Sequence, residues 1–264
     1  MALPILSACG YETAILPSSI LSTHTSGFKD FVAKDLDEQM YAFADHWKKE
    51  GLKFDVVYTG YLGSISLIDF AISAIDNFKK SNALVFVDPA LGDKGKLYPV
   101  FNVDYALKMR ELLAKADVVK PNITEACFIT ATPYQEKYNE AFVKDLIAKL
   151  RLYTEATIIL TDVSFAPEST GVYIYENKQY KYYKHQKLGD GFHGTGDIFS
   201  ASFVAALLKT HSIYNAAKVA ADYVYRCIKI TMDDKNHWYG VKFEQLLNDF
   251  VNRINNKKGK FKKI

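Results

Sequence analysis

Two glycines precede an acidic residue at the predicted start of an apolar helix, and this combination could perform phosphoryl-transfer chemistry. The segment reads Gly194-Thr195-Gly196-Asp197, and the strongly apolar run 198–208 follows it. Backbone N–H groups at a helix start have no partner within the helix and can bind an anion, which the helix dipole also attracts. Asp197 could then accept a proton from a hydroxyl while the N–H groups hold the transferred group. The motif alone is weak, because Asp is common at helix starts.

Two further polar motifs lie upstream, each after a predicted strand. Asp88 and Asp93 belong to an Asp-Pro-Ala-Leu-Gly-Asp segment, and Asn122 and Glu125 belong to Pro-Asn-Ile-Thr-Glu. The carboxyl ends of parallel strands commonly build ligand sites. A spacing of three can put Asn122 and Glu125 on one helical face, and their oxygens suit Mg²⁺ beside a polyphosphate, directly or through water. Each motif alone is also compatible with capping or turn chemistry.

Apolar runs and helical periodicities alternate along the chain. Continuous runs rich in β-branched residues predict parallel strands buried on both faces; they cover 54–60, 83–89, 157–161 and the shorter 117–119. Apolar residues at helical spacing predict helices; they cover 36–47, 65–78, 103–113 and 198–208. A capping box formed by Asp35 and Glu38 is expected to start the first helix.

This order of elements predicts an α/β fold with a mostly parallel central sheet and helices on both faces. Residues 171–183 differ, since two alternating runs flank Asn177 and Lys178 and indicate an antiparallel hairpin toward the C-terminus. The chain shows no linker or internal repeat, so we expect a single domain over residues 1–264. Residues 253–264 carry six basic and no acidic side chains, which predicts a solvated, disordered tail, with a phosphate or nucleic-acid contact as the alternative.

The composition is that of a globular protein. Of 264 residues, 49% are hydrophobic and 24% are charged, which argues against global disorder. No apolar run reaches the ~18–20 residues of a membrane span, and the net charge of +3 is too small to predict a nucleic-acid surface. The widely spaced Cys9, Cys127 and Cys227 fit reduced cytoplasmic thiols better than disulfides or a metal site. We therefore expect neither a membrane nor a nucleic acid as partner.

The order of the three polar motifs resembles the ribokinase-like superfamily, and within it the pyridoxal kinases. The motifs are D-P-x-x-G-D, P-N-x-x-E and G-T-G-D, in that order. Two other segments are similar to pyridoxal kinases: Thr59-Gly60-Tyr61 resembles their T-G-Y segment, and residues 22–28, which include Thr25, resemble their N-H-T-G segment. The resemblance implies a ribokinase-like α/β fold.

The resemblance also implies a kinase that transfers a phosphoryl group from ATP to the 5′-hydroxymethyl group of pyridoxal, pyridoxine or pyridoxamine. Asp197 would be the base that activates this hydroxyl. An anion hole would be formed by the residues before it: Gly194, Thr195 and Gly196. Contacts with the vitamin would come from three side chains: Thr25, Tyr61 and His193. Without the resemblance, turn and packing roles are the simpler interpretation of Thr25 and Tyr61.

The same resemblance implies ATP and Mg²⁺ as cofactors, with a monovalent cation as a further candidate. Contacts with ATP would come from four residues: Asn122, Glu125, Thr161 and Asp93. The metal would be held by Asp88 and Glu125. The family further implies a cytoplasmic homodimer whose other partner is the small vitamin substrate.

Two features depart from the family pattern. Pyridoxal kinases usually begin with a strand inside the sheet and a substrate-binding Ser segment, whereas residues 2–10 here resemble the helix that follows them. A late start of the sequence, a shortened kinase and another way of closing the sheet are all compatible with this difference. The second feature is Lys120, where the family often has a Thr near a bound cation. Its ammonium could occupy a cation site, but a side chain extended to solvent is the favoured interpretation.

Two other functions are open. Hydroxymethylpyrimidine kinases share the fold and the chemistry, but they often carry Gly-Thr-Gly-Cys where this chain has Asp197. A catalytically impaired homologue that acts as a binding protein is compatible with the unusual amino end. Asp197 and the Thr59-Gly60-Tyr61 segment favour pyridoxal kinase over the first function, and retention of all three polar motifs argues against the second.

Overall fold

The computed structural model describes residues 1–24, 28–189 and 191–256. Contacts within the chain divide it into two units. The larger unit is Leu16–His185, and the smaller one combines Met1–Ile15 with the described part of Gln186–Ile264. The single domain expected from the sequence therefore remains a prediction.

Helices and strands alternate over most of the described residues. The helices are α1 (Ala2–Ala8), α2 (Asp37–Lys49), α3 (Ile65–Phe78), α4 (Val103–Leu113), α5 (Ile123–Ile129), α6 (Glu140–Leu150), α7 (Thr195–Thr210), α8 (Ile213–Met232) and α9 (Leu247–Asn255). The strands are β1 (Ser19–Leu21), β2 (Ala33–Asp35), β3 (Phe54–Thr59), β4 (Lys79–Val87), β5 (Gly92–Asp93), β6 (Lys96–Leu97), β7 (Val118–Val119), β8 (Thr157–Leu160), β9 (Ser169–Glu176) and β10 (Gln179–Gln186).

Six strands form the central sheet, in the order β10-β9-β8-β7-β4-β3. The pairs β3–β4, β4–β7 and β7–β8 are parallel, whereas β9 runs antiparallel to β8. Asn177 and Lys178 join β9 to β10 with φ angles of 50° and 62°, as a two-residue hairpin turn of type I′ requires. The predicted α/β class, the mostly parallel sheet and the hairpin are confirmed.

The parallel register brings the carboxyl ends of β4, β7 and β8 level with one another. Val87 at the end of β4 pairs with Val119 at the end of β7, and Val119 pairs with Ile158 in β8. The pairing continues beyond these strands, because Asn122 forms a parallel bridge with Thr161. The polar residues that follow the strands therefore emerge at one edge of the sheet.

A buried apolar core holds these strands in place. Val87, Val119 and Leu160 are fully buried in the sheet, and they belong to one cluster with residues of α3, α4, α5 and α6 such as Ile68 and Leu146. Full burial of a Val, Leu or Ile side chain contributes roughly 1.5–3 kcal/mol. The core therefore gives the strand ends a rigid support.

The start of α2 differs from the expectation. The helix begins at Asp37, its N-cap position is Leu36, and no side chain caps it. Asp35 is instead the last residue of β2 and pairs with Ser19 of β1. The predicted capping box of Asp35 and Glu38 is therefore wrong, because strand pairing leaves Asp35 one residue outside the cap position.

The smaller unit is organised around α7. Every residue from Ile198 to Ala206 in this helix is buried, and α1, α8 and α9 all contact it. A helix that is apolar on all sides is expected to be buried, so the position of α7 follows from its composition. The first residues of the chain form α1, as the resemblance implies.

The basic C-terminal segment is helical at its start. The Arg253 guanidinium bonds the Asp222 carboxylate at 2.5 Å, and Ile254 is buried. These contacts extend α9 to Asn255, so the prediction of a solvated tail that begins at residue 253 is wrong. Residues 257–264 lie outside the described part.

Within the described ranges, no helix is long and apolar enough to cross a bilayer.

Candidate active site

A buried ion pair lies where β4 and β7 end. Lys120 Nζ is 2.8 Å from Asp88 Oδ2, and the two side chains are only 5% and 3% exposed. Main-chain bonds align both residues with the strands, since the Asp88 N–H donates to Thr59 O at 3.0 Å and the Lys120 N–H donates to Val87 O at 2.9 Å. The favoured interpretation of Lys120 as a solvent-exposed side chain is therefore wrong, because Asp88 holds its ammonium in the interior.

Helix α5 begins with a capping box formed by Asn122 and Glu125. Asn122 Oδ1 accepts from the Glu125 N–H at 2.8 Å, and Glu125 Oε2 accepts from the Asn122 N–H at 2.7 Å. This exchange satisfies two backbone donors at the helix start. The capping interpretation of these residues is confirmed, and their contact with ATP remains a prediction.

The same two side chains hold the loop that follows β4. Asn122 Nδ2 donates to Gly92 O at 2.9 Å, and Glu125 Oε1 accepts from the Leu91 N–H at 3.3 Å. Each side chain therefore bonds both the helix and the loop. A change at either position is expected to loosen the two together.

A third side chain of the first turn, Thr124, supports the β5–β6 turn. Its buried hydroxyl accepts from the Gly95 N–H at 2.9 Å. The turn is tight, because a Cβ on Gly92 would lie 2.5 Å from Lys96 O. Asp93 projects from this turn and is exposed. Sequence reasoning missed Thr124, and the only available signal was its place beside Glu125.

Thr161 lies beside α5 at the end of β8. Its N–H and its hydroxyl both donate to Pro121 O, at 3.0 and 3.4 Å. The parallel bridge to Asn122 fixes the register of Thr161 relative to the start of α5. The structure thus brings Asp88, Asn122, Glu125 and Thr161 to one edge of the larger unit's sheet. Their arrangement is suited to a ligand with several anionic oxygens and an accompanying cation.

Burial changes the chemistry of Glu125. Loss of hydration raises the pKa of its carboxyl to about 8, although Lys120 and the two backbone N–H donors act in the opposite direction; Asp88 adds to the rise. The folded protein therefore holds this proton to a higher pH than an exposed glutamate would. A cation bound nearby would favour the ionised form.

The residues predicted to hold Mg²⁺ fit it through water better than directly. Asp88 is engaged with Lys120, and both oxygens of Glu125 accept backbone N–H bonds. A carboxylate oxygen has further lone pairs that can accept a metal-bound water, whereas direct coordination by Asp88 would bring Mg²⁺ against an ammonium. The described residues contain no group of three or more His, Cys, Asp or Glu suited to a metal, and the three cysteines are free and buried.

The predicted anion hole lies at the N-terminus of α7 in the smaller unit. Gly194 occupies the N-cap position with φ of 82°, a left-handed backbone that favours glycine. The Thr195 hydroxyl donates to Phe192 O at 3.1 Å. Gly196 and Asp197 follow in the first turn, and the Asp197 side chain is exposed. The helix start is where the sequence predicts it, and anion binding there remains a prediction.

The predicted substrate residues are only partly described. Tyr61 is 42% exposed, and its ring centroid lies 5.4 Å from that of Phe101. The ring is therefore packed on one side. Partial burial raises the pKa of the Tyr61 hydroxyl. His193 is exposed and directly precedes the α7 start. Thr25 lies outside the described residues. Contacts of all three with a vitamin remain predictions.

Comparison with known proteins decides the family. The family model of the phosphomethylpyrimidine kinases matches residues 8–241. The chain belongs to this family. A Bacteroides thetaiotaomicron protein, provisionally described as a phosphomethylpyrimidine kinase, is 31% identical to it with a TM-score of 0.90, over 94% of this chain and 86% of that one.

Pyridoxal kinases are also similar to this kinase. The Lactobacillus plantarum pyridoxal kinase is 30% identical with a TM-score of 0.87, over 95% of this chain and 90% of that one. The Arabidopsis thaliana pyridoxal kinase is 25% identical over 240 residues, which are 87% of this chain and 76% of that protein. The predicted membership in the ribokinase-like kinases, close to the pyridoxal kinases, is confirmed.

The double role of Asn122 leads to a stability prediction. Asn122→Ala removes a helix cap together with the bond to Gly92 O, so it should lower the free energy of unfolding by about 2–3 kcal/mol. Asn139→Ala is the matched control, because Asn139 caps α6 through one bond, to the Phe142 N–H at 3.1 Å, and should cost about 1 kcal/mol. Urea unfolding measures both values. Equal losses would show that the bond to Gly92 contributes nothing.

The raised pKa of Glu125 leads to a pH prediction. Between its ordinary value and about 8, the folded protein keeps a proton that the unfolded chain has released, so stability falls as pH rises through this interval. Glu125→Gln lacks this titration. The free energy of unfolding of the native chain relative to Glu125→Gln should therefore fall by about 1 kcal/mol or more from about pH 5 to about pH 8, without nucleotide or Mg²⁺. A difference independent of pH would contradict a raised pKa.

Proposed function

We propose that this kinase transfers the γ-phosphoryl group of ATP to the 5′-hydroxymethyl group of a B6 vitamin: pyridoxal, pyridoxine or pyridoxamine. The observation that carries the proposal is Asp197 in the first turn of α7, directly after the Gly-Thr-Gly segment. The Bacteroides relative supports the substrate class, since one of its crystal forms contains pyridoxal. The Lactobacillus relative, a pyridoxal kinase, supports it as well.

The start of α7 suits the acceptor side of the reaction. Asp197 accepts the proton of the attacking hydroxyl, which makes its oxygen a better nucleophile. The backbone N–H groups of Thr195 and Gly196 hold the oxygens of the transferred phosphoryl group, and the positive end of the helix dipole stabilises their charge. In-line transfer of this kind depends mainly on positioning and charge neutralisation.

The strand-end edge of the larger unit suits the nucleotide. Asn122 and Thr161 offer polar groups to the phosphates of ATP, and Asp93 offers a contact from the exposed turn. Mg²⁺ bound with ATP would supply neutralisation of the phosphate charge. Asp88 and Glu125 would hold this Mg²⁺ through bound water, as their engaged oxygens allow.

Substrate recognition and assembly complete the proposal. Thr25, Tyr61 and His193 contact the pyridine ring and its substituents, as the resemblance to pyridoxal kinases implies. The exposed face of the Tyr61 ring is available for such a contact. The same resemblance supports a cytoplasmic homodimer as the active form.

Hydroxymethylpyrimidine phosphorylation is the second candidate, and the description of the matching family favours it. The reaction is the same on a similar ring, so substrate preference decides between the two. We predict that kcat/KM with Mg-ATP is at least about tenfold higher for a B6 vitamin than for hydroxymethylpyrimidine, measured as substrate-dependent ADP release. The reverse order would establish the second candidate, and no turnover of either would favour a binding protein.

The role of Asp197 leads to a separate prediction. Asp197→Asn keeps the shape of the side chain and removes the proton acceptor, so kcat should fall about 10²–10⁴-fold while the Kd of ATP changes less than about tenfold. Asp104→Asn is the matched control, because Asp104 also stands exposed in the first turn of a helix, α4. Steady-state kinetics and calorimetry measure both quantities. Near-normal turnover of Asp197→Asn would remove Asp197 from the mechanism.

A further inference from the structure

The ion pair at the ends of β4 and β7 is unusual because both charges lie in the interior. The side chains of Lys120 and Asp88 are 5% and 3% exposed, with 2.8 Å between Nζ and Oδ2. Charged side chains are almost never buried to this extent unless they are paired. Main-chain bonds to neighbouring strands fix the backbone of both residues at this position.

A third ionisable side chain, Glu125, belongs to the same buried group. Lys120 and Asp88 both act electrostatically on the Glu125 carboxyl, Lys120 favouring its ionised form and Asp88 opposing it. Two acidic groups and one ammonium therefore share a buried space at the edge where the nucleotide is proposed to bind. The buried Asp88 carboxylate requires a nearby positive charge, and Lys120 supplies this charge from within the chain.

We propose that the Lys120 ammonium is a built-in counter-cation that makes this site independent of added monovalent cations. A potassium or sodium ion next to Asp88 would meet the ammonium at short range, so the two exclude each other. Lys120 is a positioning residue in this assignment, since it acts through Asp88 and Glu125. The expected effect on turnover rests on the proposed function, whereas the expected effect on the melting temperature does not.

The thermodynamic experiment compares melting temperatures in about 0.1 M potassium chloride and in the same concentration of tetramethylammonium chloride, whose cation is too large for a buried site. The variants are Lys120→Met, which keeps the length of the side chain without its charge, and Lys96→Met, a control at an exposed lysine of β6. The native chain and Lys96→Met should melt at the same temperature in both salts. Lys120→Met should melt lower, and potassium should restore part of the loss.

A double variant keeps the experiment decisive if Lys120→Met does not fold. Asp88→Asn/Lys120→Met removes both charges, so it should fold, melt above Lys120→Met and show no response to potassium. Failure of the double variant to fold would overturn the proposal, because it would show that the pair supports packing and not charge balance.

The kinetic experiment uses the same salts. The turnover of the native chain should agree within about twofold between them, whereas Lys120→Met should lose about tenfold or more in tetramethylammonium and recover in potassium. A native chain that needs potassium, or a Lys120→Met variant that behaves as the native chain does, would overturn the proposal. If no substrate is turned over but the melting temperatures respond as expected, the proposed function fails and the counter-cation stands.

Discussion

The parallel pairing of β4, β7 and β8 is the constraint on which the candidate nucleotide site depends. Parallel strands are buried on both faces, so only their ends can present polar groups to a ligand. Here the last residues of β4 and β7, Val87 and Val119, are register partners, and the next residues along the chain include Asp88 and Lys120. A slip of one residue in either strand would turn one of these side chains to the opposite face. The apolar core that holds the register is therefore also what holds the charges in place.

Charge burial at this edge carries a cost that the local geometry offsets. An isolated buried charge loses its hydration, and pairing and hydrogen bonds must compensate for it. Lys120 and Asp88 compensate each other, whereas Glu125 accepts two backbone N–H bonds and still has a raised pKa. Asn122 and Glu125 serve in a helix cap and at the same time hold the loop after β4. Capping and ligand binding are thus not competing interpretations of this motif, since a rigid cap keeps polar groups in fixed positions.

The smaller unit shows the other arrangement that suits anions. The left-handed backbone at Gly194 starts α7, and the burial of that helix from Ile198 onward keeps its axis and dipole fixed. Phosphoryl transfer depends mainly on positioning and charge stabilisation, and backbone donors and a carboxylate in the first turn are groups that can supply both. Membership in a kinase family agrees with this chemistry. None of these residues alone distinguishes a pyridine substrate from a pyrimidine substrate.

Local patterns in the sequence determined the strands β3 and β8, the second half of β4, the helices α3 and α4, the hairpin turn at Asn177 and the start of α7. Each of these follows from periodicity, from turn chemistry or from an unbroken apolar run, which act between near neighbours in the chain. Only the tertiary structure decided the position of Lys120, because its partner Asp88 is distant in sequence and comes close through strand pairing. The same reason explains why Asp35 joins a strand instead of a cap and why Arg253 continues a helix, since Ser19 and Asp222 are their distant partners. The energy of a buried charge or a strand pair depends on which residue lies opposite, and the fold alone determines that.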